Sequence, residues 1–101
     1  MTRYRFGRYV EIDLRMIRDR IATDSPVATR RILVRFVNAF RLLARHPELG
    51  HTREDLLPAS IRFWPAGECL ILYLPKNNPI EILAVVHGAR DVPAIVNRRT
   101  E

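Results

Sequence analysis

The apolar residues at the start of the chain follow two different spacings in succession. Residues 2–6 alternate, with Tyr4 and Phe6 on one side, which is typical of a short strand. The apolar positions of residues 8–23 then recur at helical spacing, which predicts a helix with one apolar side. That side consists of Val10, Leu14, Ile17 and Ile21.

The pattern predicts a second helix between Ser25 and His46. Ser25 is a good N-cap and Pro26 suits the first helical position, whereas Pro47 disfavours helix in the residue before it. One side of the segment is apolar and consists of Ile32, Leu33, Phe36, Phe40, Leu43 and Ala44. The other side is polar and consists of Arg30, Arg31, Arg35, Asn38, Arg41 and Arg45. The two helices therefore form a predicted helical hairpin.

The second half of the chain predicts strands and one more helix. Apolar runs stand at residues 61–64, 69–74 and 80–86. Turn signals separate them, at Pro65-Ala66-Gly67 and at residues 75–79. The last run is almost continuously apolar, which indicates a central strand buried on both faces. Asp91 can cap a short C-terminal helix that runs to about Val96. The order β-αα-βββ predicts an α+β domain, with the helical hairpin packed on a mainly antiparallel sheet.

The predicted first helix has a second apolar stripe on the side away from its main one. This stripe consists of Tyr9, Ile12 and Met16. A helix that is apolar on two sides either packs in two directions within its own domain or offers one stripe to a partner. Because the chain is short and has two long helices, we favour the partner.

Length and composition restrict the class of protein. A chain of 101 residues suits one compact domain, residues 1–101, and 48% hydrophobic with 28% charged residues is typical of soluble globular proteins. No apolar run approaches the roughly 20 residues of a membrane span, and no secretory signal pattern is present, so we expect a cytoplasmic protein. The single Cys69 has no histidine at ligand spacing, and neither a metal site nor a cofactor is predicted.

The net charge of the chain indicates which kinds of binding partner to expect. The formal net charge is +6, and every basic residue except Lys76 is arginine. Because the planar arginine group suits bidentate contacts with carboxylate or phosphate, the partners we expect are an acidic protein or a nucleic acid. The alternative is a solvated surface encoded by a GC-rich genome that favours arginine codons.

Several segments together resemble the ParE-type toxins of the RelE/ParE superfamily, the toxin half of bacterial type II toxin–antitoxin modules. These segments are YRF, DSPVAT, FRLLARHPELG, IRFWPAGECLILYL and IEILAVVHGARDVPAIV, in the order that the family shows. The resemblance implies the RelE/ParE-like β-αα-βββ fold and growth arrest by the free toxin. It also implies a ParD-like antitoxin that assembles with the toxin into a hetero-oligomer. We expect Tyr9, Ile12 and Met16 to bind this antitoxin.

The resemblance leaves two targets open. For the ParE branch the implied target is DNA gyrase, blocked while it holds cleaved DNA, and for the RelE branch it is mRNA, cut at the ribosome. RNA cleavage needs a general acid, a general base and cations close together. The available candidates are Arg62, Tyr73, His87 and Arg90. Arginine is a poor acid or base because it stays protonated. We therefore predict a gyrase inhibitor that acts by contact, without catalytic residues. The alternatives are an mRNA endonuclease and a small basic nucleic-acid-binding domain.

The stretch ILAVVHGARD ends the last predicted strand and has two interpretations. In the structural one, Gly88 supplies a positive-φ turn, Asp91 caps the last helix, His87 ties the strand end and Arg90 pairs with a carboxylate. In the functional one, this end of the sheet touches the target through Arg62, Trp64, His87 and Arg90. Alternation places Trp64 on the strand face of Arg62, and the sequence leaves open whether Trp64 is an exposed anchor or lies under the terminal helix.

Overall fold

The computed structural model describes residues 3–22, 25–88 and 91–100. Its elements are β1 (Tyr4–Phe6), α1 (Val10–Ala22), α2 (Pro26–Arg45), β2 (Arg62–Ala66), β3 (Cys69–Leu74), β4 (Ile80–His87) and α3 (Val92–Thr100). The strands form one sheet in the order β1-β4-β3-β2, in which β1 is parallel to β4 and the other pairs are antiparallel. The predicted α+β fold is confirmed. Thr2 and Thr23, the predicted ends of β1 and α1, lie outside the described residues.

Helices cover both faces of the sheet. On the hairpin face, α1 and α2 pack on the strands through a core that includes Val10, Phe36, Phe40, Leu43, Ile71, Tyr73, Ile82 and Val85. On the other face, α3 and the segment before β2 pack around Leu57, Ile61, Leu72, Leu83, Ala84, Val86, Ile95 and Val96. Because β4 contributes to both clusters, its predicted position as a central, doubly buried strand is confirmed.

The ends of α2 agree with the predicted caps. The Ser25 hydroxyl accepts a hydrogen bond from the Ala28 N–H at 3.3 Å, and His46 is the C-cap, with its N–H 2.9 Å from the Leu42 carbonyl. The predicted apolar side lies on the core. Neither α2 nor any other helix in the described part combines the length and the apolar character that a membrane span requires.

The hairpin of β2 and β3 corrects one predicted turn. β2 continues through Pro65 and Ala66, which the sequence assigned to the turn, and Ala66 pairs with Cys69. The turn therefore consists of Gly67 and Glu68, and Gly67 has a φ of 62° that favours glycine. Proline is tolerated in β2 because this is an edge strand, where a missing N–H need not break the ladder.

The prediction of a positive φ at Gly88 is wrong, since the glycine with a positive φ in the described part is Gly67. Gly88 instead approaches the neighbouring turn closely. Its N–H donates to the Glu68 carbonyl at 2.9 Å, and a Cβ at this position would lie 3.2 Å from the same oxygen. A small residue is therefore favoured here by space and not by backbone angle.

Two helix boundaries differ from the sequence predictions. α1 begins at Val10, two residues later than predicted, because a turn precedes it. α3 continues to Thr100, past the predicted end at Val96. Its last turn is held by an ion pair between Arg99 and Asp13 of α1, a long-range contact that no local pattern reveals.

Tyr73 fastens the segment between α2 and β2 to the sheet. Its side chain is fully buried, its hydroxyl donates to the Pro47 carbonyl at 2.6 Å, and it accepts from the Gly50 N–H at 2.8 Å. Burial raises the pKa of this phenol above its ordinary value. A Cβ on Gly50 would lie 2.6 Å from the Tyr73 ring carbon Cε1, so the close approach requires glycine.

We expect Tyr73→Phe to lower the free energy of unfolding by about 1–3 kcal/mol, because the buried Gly50 N–H and the part-buried Pro47 carbonyl lose their partner. Urea denaturation followed by circular dichroism measures the change. The matched control is Tyr4→Phe, since the Tyr4 hydroxyl makes no hydrogen bond within the described part of the chain. Equal losses in the two variants would contradict this role of Tyr73.

Candidate functional site

The two apolar sides of α1 lie in different environments. Val10 is fully buried, and Leu14 and Ile17 pack against the hairpin-face core. The second stripe is open to solvent, with exposed fractions of 39% for Tyr9, 51% for Ile12 and 57% for Met16. Apolar side chains that line up on a surface in this way are typical of interaction sites. We call these three residues the α1 stripe.

Asp13 separates the core side of α1 from the α1 stripe. Its carboxylate is buried, with 8% of the residue exposed, and accepts a hydrogen bond from the Val85 N–H at 3.0 Å. The Arg99 guanidinium donates to both carboxylate oxygens, with Nη2 2.7 Å from Oδ1. The same guanidinium lies 5.3 Å from the centre of the Tyr9 ring. Asp13 thus joins α1, β4 and α3 and fixes the orientation of the helix that carries the stripe.

Sequence reasoning missed the role of Asp13, although one signal was present. The residues three and four positions away on either side are all apolar, namely Tyr9, Val10, Met16 and Ile17. An acidic residue enclosed in this way on a helix must find a partner elsewhere in the fold, because burial of an unpaired charge is unfavourable.

A groove continues the α1 stripe. Its volume is about 430 Å³, and it lies between α1 and the end of the β3–β4 pair. Its apolar walls include Met16, Ile17, Ile21, Ile32, Cys69 and Val86, and its charged edge includes Arg20, Glu68 and His87. In the described residues β1 pairs with β4 from Ile80 to Ile82, and the second half of β4 lines the groove through Val85, Val86 and His87. Because Met16 belongs to both, the stripe and the groove form one continuous surface.

His87 and Asp91 stand at the end of β4, where they have structural contacts. Nε2 of His87 lies 3.5 Å from Oε2 of Glu68 in the β2–β3 turn. The Asp91 carboxylate accepts a hydrogen bond from the Ala94 N–H at 3.2 Å and so caps α3, as predicted. Arg90 lies outside the described residues. The strand end is therefore held by its own neighbours, and its role in contacting a target stays a prediction.

Arg62 and Trp64 share the hairpin face of β2, and both contact the segment that precedes the strand. The Arg62 guanidinium donates to the Gly50 carbonyl at 2.7 Å and to the Glu48 carbonyl at 3.2 Å. Trp64 is half-buried against the hairpin-face core, and its ring stacks on His51 with centroids 5.8 Å apart. Trp64 does not lie under α3, which corrects one of the two predicted environments.

The structure pairs Arg62 with Tyr73 across β2 and β3, but it does not bring His87 to them. Tyr73 pairs with Ile82, whereas His87 pairs with Cys69, four residues along β3. At about 3.4 Å per residue these positions are roughly 14 Å apart, too far to act on one phosphate group. Tyr73 is also fully buried. Burial raises the pKa of the Cys69 thiol, which disfavours a reactive thiolate.

Comparison with known proteins gives one family match. The family model for the ParE toxin of the type II toxin–antitoxin system, parDE, matches residues 4–92. The match extends from β1 to the start of α3 and includes the α1 stripe and every residue that lines the groove. No curated protein sequence matches the chain.

Proposed function

The chain belongs to the ParE toxin family of type II toxin–antitoxin systems, and from this premise we propose that it arrests bacterial growth by inhibiting DNA gyrase through protein–protein contact. It acts in the cytoplasm, where a ParD-like antitoxin neutralises it. Inhibition by contact is supported by the distance between the acid–base candidates, since Tyr73 is buried and His87 lies at the other end of the strand pair. This separation is the observation that carries the proposal.

The antitoxin occupies the α1 stripe and the adjoining groove. The stripe offers three exposed apolar side chains, and the groove has room for several side chains of a partner segment. Burial of large apolar side chains contributes on the order of 1.5–3 kcal/mol each, so a segment that covers both features gains substantial affinity. Toxin and antitoxin then form a hetero-oligomer, in which the bound toxin cannot reach its target.

We propose Arg62, Trp64, His87 and Arg90 as the gyrase-contacting residues. Among the described ones, Arg62 begins β2, whereas His87 ends β4 at the opposite end of the sheet, so they do not share the one end that the sequence predicted. Trp64 and His87 keep part of their surface open to solvent, which supports a contact role. Arg62 is a poor position for charge reversal, because its hydrogen bonds to Gly50 and Glu48 would be lost together with any target contact.

Substitution of His87 by glutamine distinguishes contact from catalysis. Glutamine keeps a polar side chain of similar reach but has no titratable proton, so a contact inhibitor should retain most of its growth arrest. In a nuclease that uses His87, the same change should lower the rate by about 10²- to 10⁴-fold. Growth curves after induction are compared with the accumulation of gyrase cleavage complexes and with RNA integrity in the same cells.

Contact inhibition and catalysis predict different results for growth arrest, gyrase cleavage complexes and mRNA integrity. Retained arrest in His87→Gln, with cleavage complexes and intact mRNA, supports the proposal. Suppose instead that the unmodified chain produces mRNA fragments and that His87→Gln loses both these fragments and growth arrest. The protein then acts as an endonuclease, and the proposal of gyrase inhibition is wrong. A thermal melt of His87→Gln serves as the control, since Glu68 contacts the histidine.

A further inference from the structure

The solvent side of α2 carries a concentration of positive charge. Five arginines are exposed along the helix, and they are Arg30, Arg31, Arg35, Arg41 and Arg45. The 20 residues of α2 include no aspartate or glutamate. The opposite side of the helix is buried on the sheet through Phe36, Phe40 and Leu43. The charge is therefore confined to one accessible face, which we call the arginine face.

The arginine face has a regular geometry. At 1.5 Å and 100° per residue, its side chains extend over roughly 22 Å of helix axis and an arc of about 140°. Arg30, Arg41 and Arg45 project along one edge of this arc, and Arg31 and Arg35 along the other. Asn38 lies between the edges, and the exposed side chains of Val27 and Val34 lie among the arginines of the first edge.

Most of this charge is not compensated within the protein. Two exposed arginines outside α2 do pair with neighbouring carboxylates, Arg18 with Asp19 at 3.1 Å and Arg53 with Asp55 at 2.7 Å. In the described part of the chain, no ion pair is formed by Arg30, Arg31, Arg35 or Arg41. Arg31 and Arg35 are also four positions apart, a spacing at which like charges destabilise a helix. This arrangement is unfavourable for the isolated chain and favourable beside a polyanion.

We propose that the arginine face binds the phosphate backbone of double-stranded DNA, independently of sequence. Guanidinium groups contact phosphates in a bidentate manner, and release of counterions drives such binding. Two edges of arginines on one helix can reach phosphates of both strands across a groove that admits a helix. DNA presents a continuous line of phosphate charges along the length of such a helix, so the face suits DNA better than an acidic protein.

This site is additional to the surface assigned to the antitoxin. The arginine face and the α1 stripe have no residue in common, so one does not replace the other. A gyrase inhibitor with DNA affinity on α2 can touch both the enzyme and the DNA that the enzyme holds. DNA binding is a property of the chain alone, and it is measured without gyrase.

Fluorescence anisotropy with a labelled 20-base-pair duplex of arbitrary sequence tests the site in the full-length chain. The test variant is Arg31→Gln/Arg35→Gln, and the matched control is Arg18→Gln/Arg53→Gln, which removes the same charge away from α2. We expect the α2 variant to bind at least about tenfold more weakly and its logarithmic salt slope to fall by nearly two, at about 0.9 per phosphate contact. The control should bind within about twofold of the unmodified chain, since no phosphate contact is removed.

Other outcomes would overturn the proposal. Equal losses in the two variants would assign DNA affinity to net charge and not to α2. Stronger binding to polyglutamate than to the duplex at the same salt concentration would show that the face takes an acidic protein. Circular dichroism must remain native in both variants, which the exposure of all four arginines favours. Because the assay contains no gyrase, failure here leaves inhibition of gyrase by contact untouched.

Discussion

Asp13→Ala should destabilise the fold by about 3–5 kcal/mol, the loss typical of breaking a buried ion pair by removing one partner. The substitution leaves the Arg99 guanidinium, which is largely buried, without its carboxylate, and it leaves the Val85 N–H without an acceptor. Three elements would lose a common contact, since Asp13 joins α1, β4 and α3. Urea denaturation of the full-length chain, followed by circular dichroism, measures the free energy of unfolding.

A matched control on the same helix is Asp19→Ala. Asp19 also pairs with an arginine, Arg18, but both side chains are more than half exposed. Such a pair contributes about 0–1 kcal/mol, so the control should remain close to the unmodified chain. A loss in Asp13→Ala that is no larger than the loss in Asp19→Ala would show that the buried pair does not hold the helices together.

Ile12→Asp should weaken antitoxin binding by about 10- to 100-fold, with the fold of the toxin intact. Burial of one such side chain in an interface contributes about 1.5–3 kcal/mol, and each 1.4 kcal/mol is a tenfold change in Kd. An aspartate at this position would in addition have to lose its water. Because half of Ile12 is exposed in the free chain, the substitution removes little from the core. Calorimetric titration of each toxin variant with the separately purified antitoxin gives the Kd.

Val34→Asp is the control for this measurement. Val34 is 53% exposed, close to the 51% of Ile12, but it lies on α2 outside the α1 stripe. The control should therefore leave the Kd unchanged within about threefold, a difference below 1 kcal/mol. An unchanged Kd in Ile12→Asp, with a native circular dichroism spectrum, would exclude the α1 stripe as the antitoxin interface.

The features that the sequence predicted well depend on neighbours along the chain. Ser25 and Pro47 set the limits of α2 through local backbone chemistry, and the α1 stripe follows from the helical period alone. The observed pattern of burial on α1 agrees with that period, since Val10 is buried and Ile12 is exposed. Sequence patterns predict these features because the interactions that stabilise them join residues close together in the chain.

The features that the sequence did not reveal depend on strand order and on distant residues. Proline usually ends a strand, and only the position of β2 at the edge of the sheet explains why Pro65 continues it. Gly67 and Gly88 both follow strands, but only Gly67 closes a two-residue turn that requires a positive φ. The groove likewise combines side chains of α1 and α2 with the β2–β3 turn and the end of β4.

The ion pair between Asp13 and Arg99 joins residues 86 positions apart, and this separation sets the order of events during synthesis. A ribosome releases α1 early, yet the carboxylate of Asp13 cannot meet its partner until residue 99 has left the exit tunnel. Before that moment α1 is not held against α3, and Tyr9 lacks the guanidinium that lies over its ring. The stripe therefore takes its finished arrangement, with the Arg99 guanidinium beside the Tyr9 ring, only once residue 99 has left the exit tunnel.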